Sequence, residues 1–448
     1  MKRGWKHGRI RAAAIAIGLA LIASSSPAAE PDAATDTLRD ALKDLNVAGA
    51  DHWIYNDFAR AAAQARRTGR PIFVTFRCVP CKACRGFDAE VAQGSEAITR
   101  LANEAFVPLR QVEMKGVDLS QFQFDYDLNW AAMFVNADGT VYGRYGTQSA
   151  EGPDAYNSTA SLEKAMRRVL KLHADYPANA ASLRDKKGAP KPYRTALDMP
   201  ELEQRDKLRG ATAANNCIHC HMVHDAEQEQ LRKQGRLTSD DLYRYPLPDN
   251  IGLHIDRDDG CRIEKVTPGG PAEAAGLRAG DTIARVNGQA IVSIADVQWV
   301  LHHLPNQDVS VKVEAERAGK SVEATINLKA GWKKTNFLWR GSRWSLRPRP
   351  GFWAPELKPD ELRRLELADG ARAYCVQWIN TGQSEGRKAK EVGLREGDVI
   401  VEVADQPVSM TPEQFHMHVR MTHKVGDDLP LTVLRDGRRQ RIVLPLVD

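Results

Sequence analysis

The octapeptide Gly276-Leu277-Arg278-Ala279-Gly280-Asp281-Thr282-Ile283 returns as Gly393-Leu394-Arg395-Glu396-Gly397-Asp398-Val399-Ile400. Around each copy the order of elements is the same. A strand-like run precedes it, CRIEKV in one copy and AYCVQWI in the other. A short strand follows, then a helix (IADVQWVLHHL, TPEQFHMHVRM) and a terminal hairpin (SVKVEAERAGKSVEATINL, PLTVLRDGRRQRIVLPL). Preserved order at this length means two copies of one folding unit. They occupy residues 246–330 and 352–448, and each reads as a small β-barrel or sandwich with helices. The second half of the chain is thereby committed to repeated β-rich units.

The chain has 448 residues, enough at about 100–200 per domain for three or four units. Residues 1–29 read as a secretory signal peptide. A basic start (MKRGWKHGRIR) leads into an apolar run too short to span a bilayer, then into small residues suited to cleavage. No later run is long enough for a membrane helix, so no integral span is expected after cleavage. The protein is therefore expected to be periplasmic or extracellular. Five of its 63 Lys and Arg residues lie in the signal with no acid, so the rest balances 58 basic against 58 acidic residues. A neutral mature chain gives no reason to expect nucleic acid as a partner.

Residues 51–177 alternate helical and strand patterns, an α/β unit. YNDFARAAAQARRTGRP is helical with Gly69 as its stop, and PIFVTF is a buried strand. Two helical runs and the strand FVPLRQVEM follow. Next come two strands joined by an Asp-Gly turn, and a closing helix capped by Ser158 or Ser161. Just after PIFVTF stand Cys78, Cys81 and Cys84, each three residues after the last. In an exported chain such a cluster serves thiol exchange, a soft metal such as Cu(I), or a structural disulfide. A thiolate is the attacking species, and a helix N-terminus behind a strand lowers thiol pKa.

The strand, the C-x-x-C opening a helix and the later hairpin resemble the thioredoxin-like superfamily. The resemblance implies Cys81 as nucleophile and Cys84 as resolving thiol, with Cys78 as an accessory. The wording Pro80-Cys81-Lys82 copies the family's usual one and keeps the pair Cys78–Cys81 open. Asn129-Trp130-Ala131-Ala132 stands where the family has a cis-proline, which leaves substrate groove and metal capture both open. Cys261 and Cys375, alone in strand-like runs, read as buried inert thiols.

Residues 178–245 are a charged, Pro-containing linker and a polar helical segment. They hold Cys217-Ile218-His219-Cys220-His221, the C-x-x-C-H spacing of c-type haem attachment. In that reading Cys217 and Cys220 take the porphyrin vinyl groups and His221 the iron. Met199 and His254 are unsupported candidates for the far ligand. The alternatives are a zinc or copper site from Cys217, Cys220 and His221 or His224, or a second disulfide.

The repeated G-L-x-x-G-D-x-I, with TPGGPAEAAGLRAGDTIARVNGQAI around its first copy, resembles PDZ domains of the bacterial protease-associated kind. Such a domain adds an extended peptide to a sheet edge and holds its terminal carboxylate in a backbone nest. Ile251-Gly252-Leu253 is expected to form that nest in the first copy. In the second, Leu365-Glu366-Leu367 is expected in its place, where an acid and a missing glycine argue against peptide binding. The exported portion lacks G-x-S-x-G, and no Ser/His/Asp set stands in recognisable context. His302, His303, His416 and His418 lie on the presumed helices as surface or packed residues. Between the copies, 331–351 form a basic aromatic linker. The run Gly331–Trp353 has six Lys/Arg, six aromatics and no acid. Such a run docks on a membrane or an acidic partner, covers a cleft, or folds against its neighbours with arginines stacked on tryptophans.

The domain order resembles a bacterial family of exported thioredoxin/PDZ proteins, some of which carry selenocysteine. It implies an exported thiol–disulfide oxidoreductase with a redox-active disulfide, a redox partner, and protein substrates or peptide C-termini recruited by the first PDZ copy. The alternative is a non-enzymatic copper or electron carrier, or a scaffold.

Overall fold

The computed structural model describes Met1 and residues 38–40, 42–47, 52–79, 85–213, 215–368 and 370–448. The rest of the expected signal segment lies outside the described residues.

The α/β unit contains β1 (Ile54–Tyr55), α1 (Phe58–Thr68), β2 (Ile72–Arg77), α2 (Arg85–Ala89), α3 (Glu96–Ala105), β3 (Val107–Gln111), β4 (Trp130–Val135), β5 (Val141–Tyr145) and α4 (Thr159–Ala174). Asp57, Ser95 and Ser158 cap α1, α3 and α4 by accepting backbone N–H bonds through their side chains. The strands form one open sheet in the order β1-β3-β2-β4-β5, parallel from β1 to β2 and antiparallel beyond. Every residue of β2 is buried. Its alternate side chains feed two cores, Phe73 with Ile98, Phe134 and Leu162 on one face, Ile72 and Val74 with Leu109 and Met133 on the other.

Segment 178–245 consists mostly of short turns, the four-residue helix Arg205–Leu208 and one longer helix, α5 (His221–Lys233). The first repeat contains β6 (Leu253–Ile255), β7 (Ile263–Val266), α6 (Pro271–Ala274), β8 (Thr282–Val286), β9 (Gln289–Ala290), α7 (Ile294–His302), β10 (Val309–Arg317) and β11 (Lys320–Leu328). The second contains β12 (Phe352–Trp353), β13 (Tyr374–Cys375), β14 (Trp378–Ile379), α8 (Ser384–Glu391), β15 (Val399–Val403), β16 (Gln406–Pro407), α9 (Pro412–Thr422), β17 (Asp428–Arg435) and β18 (Arg438–Pro445). The expected barrels are not formed. Each repeat has an open antiparallel sheet, β11-β10-β8-β9 and β13-β15-β17-β18, plus a separate two-stranded ribbon. The sheets stay open because a helix, not a further strand, covers each core. Cys261 is buried and Cys375 half-buried.

The repeats preserve one ion pair in detail. Asp281 and Asp398, the acids of the octapeptides, each accept from the peptide N–H three residues earlier and from an arginine of the hairpin, Arg317 or Arg435. That ties the repeated turn to the sheet and explains why the octapeptide survives when its surroundings differ.

The first repeat docks on edge strand β5. Ser293 donates to the Arg144 carbonyl at 2.6 Å, Asp296 accepts from the Arg144 N–H at 3.1 Å, and the Arg144 guanidinium lies 3.4 Å over the Trp299 ring. The approach needs a glycine. A Cβ at Gly143 would sit 2.3 Å from Val292 Cγ2. Gly143→Ala is therefore expected to cost about 1–3 kcal/mol by overpacking. Urea melts should show the loss, and Val292→Ala added to it should recover part. A Gly143→Ala protein as stable as wild type would show that the interface yields freely.

Candidate functional site

The two cysteine clusters meet in space. Cys78 follows β2, and its Sγ lies 2.7 Å from His219 Nδ1, a contact between residues 141 positions apart. The Ile218 carbonyl accepts the Met114 N–H just beyond β3, and the Ile218 side chain is fully buried against the thioredoxin-like sheet. This anchors the C-x-x-C-H run beside the end of β2. Cys78, His219, Cys220, His221, Asn129 and Trp339 share a cavity of 410 Å³. Cys81 and Cys84, the expected nucleophile and resolving thiol, lie outside the described residues. None of the five described cysteines is in a disulfide.

The thiols differ in environment. Burial and the nearby Cys78 push Cys220 up to about 12, and burial pushes Cys261 to about 12 as well. Both are protonated at neutral pH. They are expected to react with iodoacetamide at pH 8 at least about a thousandfold more slowly than a free thiol of pKa near 8.5. Mass spectrometry of native and urea-unfolded protein reads this, and rapid native labelling of either would contradict the raised thiol pKa.

The residues do not fit a c-type haem. Attachment needs both thiols on one edge of the macrocycle. Cys217 instead packs in the core with Trp53 and Val112, its thiol donating to the Ala213 carbonyl at 3.1 Å, while Cys220 joins the opposite core and the cavity. His221 bonds Asp225 at 3.1 Å and stacks on His219. A two-cysteine, one-histidine metal site is not assembled either. Among the described residues, Cys217, Cys220 and His221 or His224 do not bring three ligand atoms within 4.8 Å of one another.

Asp125, Asp127 and His224 do close within that limit. Their carboxylates are already engaged. Arg340 donates to Asp125 at 2.6 and 2.8 Å and to Asp127 at 3.3 Å, and Ser342 donates to Asp127 from both N–H and hydroxyl. A guanidinium at that distance repels a cation, so the cluster is a buried clamp. It shows how the basic linker folds: against its neighbours, with Arg340 over Trp339 and Arg343 over Trp344.

Ile251-Gly252-Leu253, the expected nest of the first repeat, closes the turn Pro248–Ile251, and the Gly252 N–H donates to the Asp249 carbonyl at 3.0 Å. Gly252 adopts a left-handed conformation (φ +80°) between buried Ile251 and Leu253, against the start of α6. In the second repeat the equivalent is Gly351-Phe352-Trp353, not Leu365-Glu366-Leu367. Gly351 has φ +78°, sits against the start of α8, and leads into β12, which pairs with β14 as β6 pairs with β7. A Cβ at Gly351 would meet backbone atoms of Glu385 and Gly386 at 2.4–2.6 Å, so the close approach requires glycine here. Leu365-Glu366-Leu367 instead follow the short helix Pro359–Arg364.

One hydroxyl–imidazole–carboxylate line is present among the described residues. His254 Nε2 is 3.0 Å from Thr267 Oγ1, and its Nδ1 contacts the Asp249 carboxylate. Amide groups that would hold an oxyanion beside it are spent. The Gly269 N–H goes to Glu273, and the Gly270 N–H to the Thr267 carbonyl.

A PDZ domain family model matches residues 250–328, and a thioredoxin-like family model matches residues 53–137. The chain carries both domains. Among curated proteins it is similar to probable periplasmic serine endoproteases DegP-like. That of Marinomonas sp. (strain MWYL1) is 26% identical over 45% of this chain and 40% of its own length. That of Ectopseudomonas mendocina (strain ymp) is 27% identical over 49% and 46%. The magnetosome formation protease MamE of Magnetospirillum gryphiswaldense is 25% identical over 44% of this chain and 29% of its own length. The chain thus spans less than half the length of these relatives. A solved HtrA-type protease, AlgWS227A with decapeptide, is 16% identical over 30% of this chain and 40% of its own, with a TM-score of 0.21.

These relatives overturn the expected thiol–disulfide oxidoreductase, and the carrier alternative with it. Two are named probable periplasmic serine endoproteases and the third a magnetosome formation protease. The PDZ domain supports protein or peptide binding. No helix among the described residues is long and apolar enough to cross a membrane.

Proposed function

We propose that this chain is a periplasmic protein that binds protein substrates by their free C-terminal ends, as the substrate-recognising part of a DegP/HtrA-type proteolytic system. The observation that carries the reading is the match of the first repeat to the PDZ domain model, with a left-handed glycine ahead of a short strand in both repeats, at Gly252 and Gly351. A nest of backbone N–H groups beside a sheet edge suits a carboxylate and an added strand. The periplasmic location rests on the relatives' names and on the signal-like first residues.

Fluorescence anisotropy with a labelled decapeptide tests this. A free C-terminus is expected to bind at least about tenfold more tightly than its amide, the value of one charge-assisted bond. Equal affinity for the two forms would remove the reading. Hydrolysis by the chain itself is a second reading that the relatives' names favour. Casein turnover lost in Thr267→Ala and His254→Ala would support it, and no turnover by folded protein would end it.

A further inference from the structure

A cavity of 460 Å³ opens where the thioredoxin-like domain, α5, α7 and the basic linker meet. Tyr126 comes from the first, Glu227 from α5, His302 from α7 and Lys333 from the linker. Tyr243, Tyr245 and His303 add ring faces to its walls, and the Tyr245 ring stacks on His302 at 4.1 Å. Pro192 and Asp240 on its lining are exposed, so the cavity reaches solvent.

Two lysines line it. Lys191 is paired with Glu227 at 2.8 Å. Lys333 is 9% exposed and pairs with no carboxylate among the described residues. Its Nζ donates to the His302 carbonyl, in the last turn of α7, at 2.7 Å, and its main-chain N–H is held by Asn306 at 3.0 Å. The Trp332 ring is 5.8 Å away, at the edge of cation–π reach. An ammonium has three protons to place, and one neutral carbonyl is a poor partner for a buried charge. The acids of the cavity are committed elsewhere or stand off. Glu227 also accepts from Arg244, and Asp241 accepts from the Thr238 N–H and hydroxyl. Asp240 acts on Lys333 from beyond ion-pair distance. Burial outweighs it and pushes the Lys333 ammonium down to about 8, while burial also keeps His302 and His303 neutral at pH 7.

Only a neutral amine carries the lone pair that attacks a carbonyl, and a desolvated cavity lysine supplies one near neutral pH. We propose that Lys333 is a carbonyl-capture site, condensing with a small aromatic aldehyde that enters this cavity. The ε-amine attacks the aldehyde carbon, and the carbonyl oxygen then leaves as water with both amine hydrogens. The product is an imine at Lys333 Nζ, and nothing is oxidised or reduced. The bond to the His302 carbonyl uses one amine hydrogen and leaves the lone pair for the aldehyde. The aldehyde's ring is received by the faces of Tyr243, Tyr245 and His303. The site does not rest on the peptide-binding reading.

The test treats the full chain with benzaldehyde and cyanoborohydride near pH 7 and maps the benzylated lysines by mass spectrometry. Lys333 is expected to label at least about tenfold faster than any other lysine, the gain from its larger neutral fraction. Its rate should level off above about pH 8, while surface lysines keep gaining toward about pH 10. With propanal in place of benzaldehyde the lead should shrink at least about threefold, and in urea it should vanish. Labelling of Lys333 no faster than the surface lysines would overturn the site. An equal lead with propanal would overturn the aromatic preference, and a lead kept in urea would show that the cavity has no part in it.

Discussion

Arg340→Met is expected to destabilise the protein by about 3–5 kcal/mol, the usual cost of stripping one partner from a buried ion pair. Arg340 is buried, holds Asp125 and Asp127, and gives a further bond to the Arg244 carbonyl at 2.6 Å. Without it two carboxylates remain in a dry interior. The loss should carry a pH signature. Burial raises the Asp125 carboxyl, but Arg340 and His224 outweigh it and hold the group well below the usual carboxylate range. A depressed carboxylate contributes stability above its unfolded pKa of about 4, and that contribution fades as pH falls below it. The gap between wild type and Arg340→Met should therefore be widest at pH 7 and narrow toward pH 3. Urea titrations at both values measure it. A variant within about 0.5 kcal/mol of wild type at pH 7 would mean the clamp contributes little.

Arg110→Met is expected to cost a comparable about 3–5 kcal/mol, for a related reason. Arg77 and Arg110 face Asp44 and Asp88 in a fully buried square, with contacts of 2.6 to 3.2 Å. Trp130, Asn46 and Tyr55 donate to the same carboxylates. Two charges of each sign balance, so removing one arginine leaves a net negative charge in the core. Burial raises Asp88 and the two arginines more than offset it, so this site also loses stability in acid. Asp44 belongs to the segment ahead of the α/β unit, and this square ties that segment to β2 and β3. Limited proteolysis should then cut the 38–47 stretch of Arg110→Met before wild type is touched. Removing charge on both sides, as in Arg110→Met with Asp44→Asn, should recover part of the loss. No recovery would point to lost packing rather than an unpaired charge.

Much of the fold was legible because it is local. The helix stop at Gly69, the cap Ser158, the hairpin turn after Ala137 and the two octapeptides act over a few residues each, and they stand where the pattern puts them. The second nest was misplaced for an equally local reason. The expectation put it at Leu365-Glu366-Leu367, closer to the octapeptide than it lies. An extra stretch with the helix Pro359–Arg364 separates β12 from β13, so the true nest lies further upstream at Gly351. A strand, Phe352–Trp353, directly after a glycine was the signal available.

Residue type and spacing alone determined which segments would be strands, helices and turns, and that one unit occurs twice, because hydrophobic period and backbone freedom are properties of short windows. Docking decided the rest. It set Cys78 against His219, turned Cys217 and Cys220 into different cores, and closed the Arg340 clamp. Those contacts join residues up to hundreds of positions apart, and their energies come from burial and charge pairing between surfaces that no single window contains.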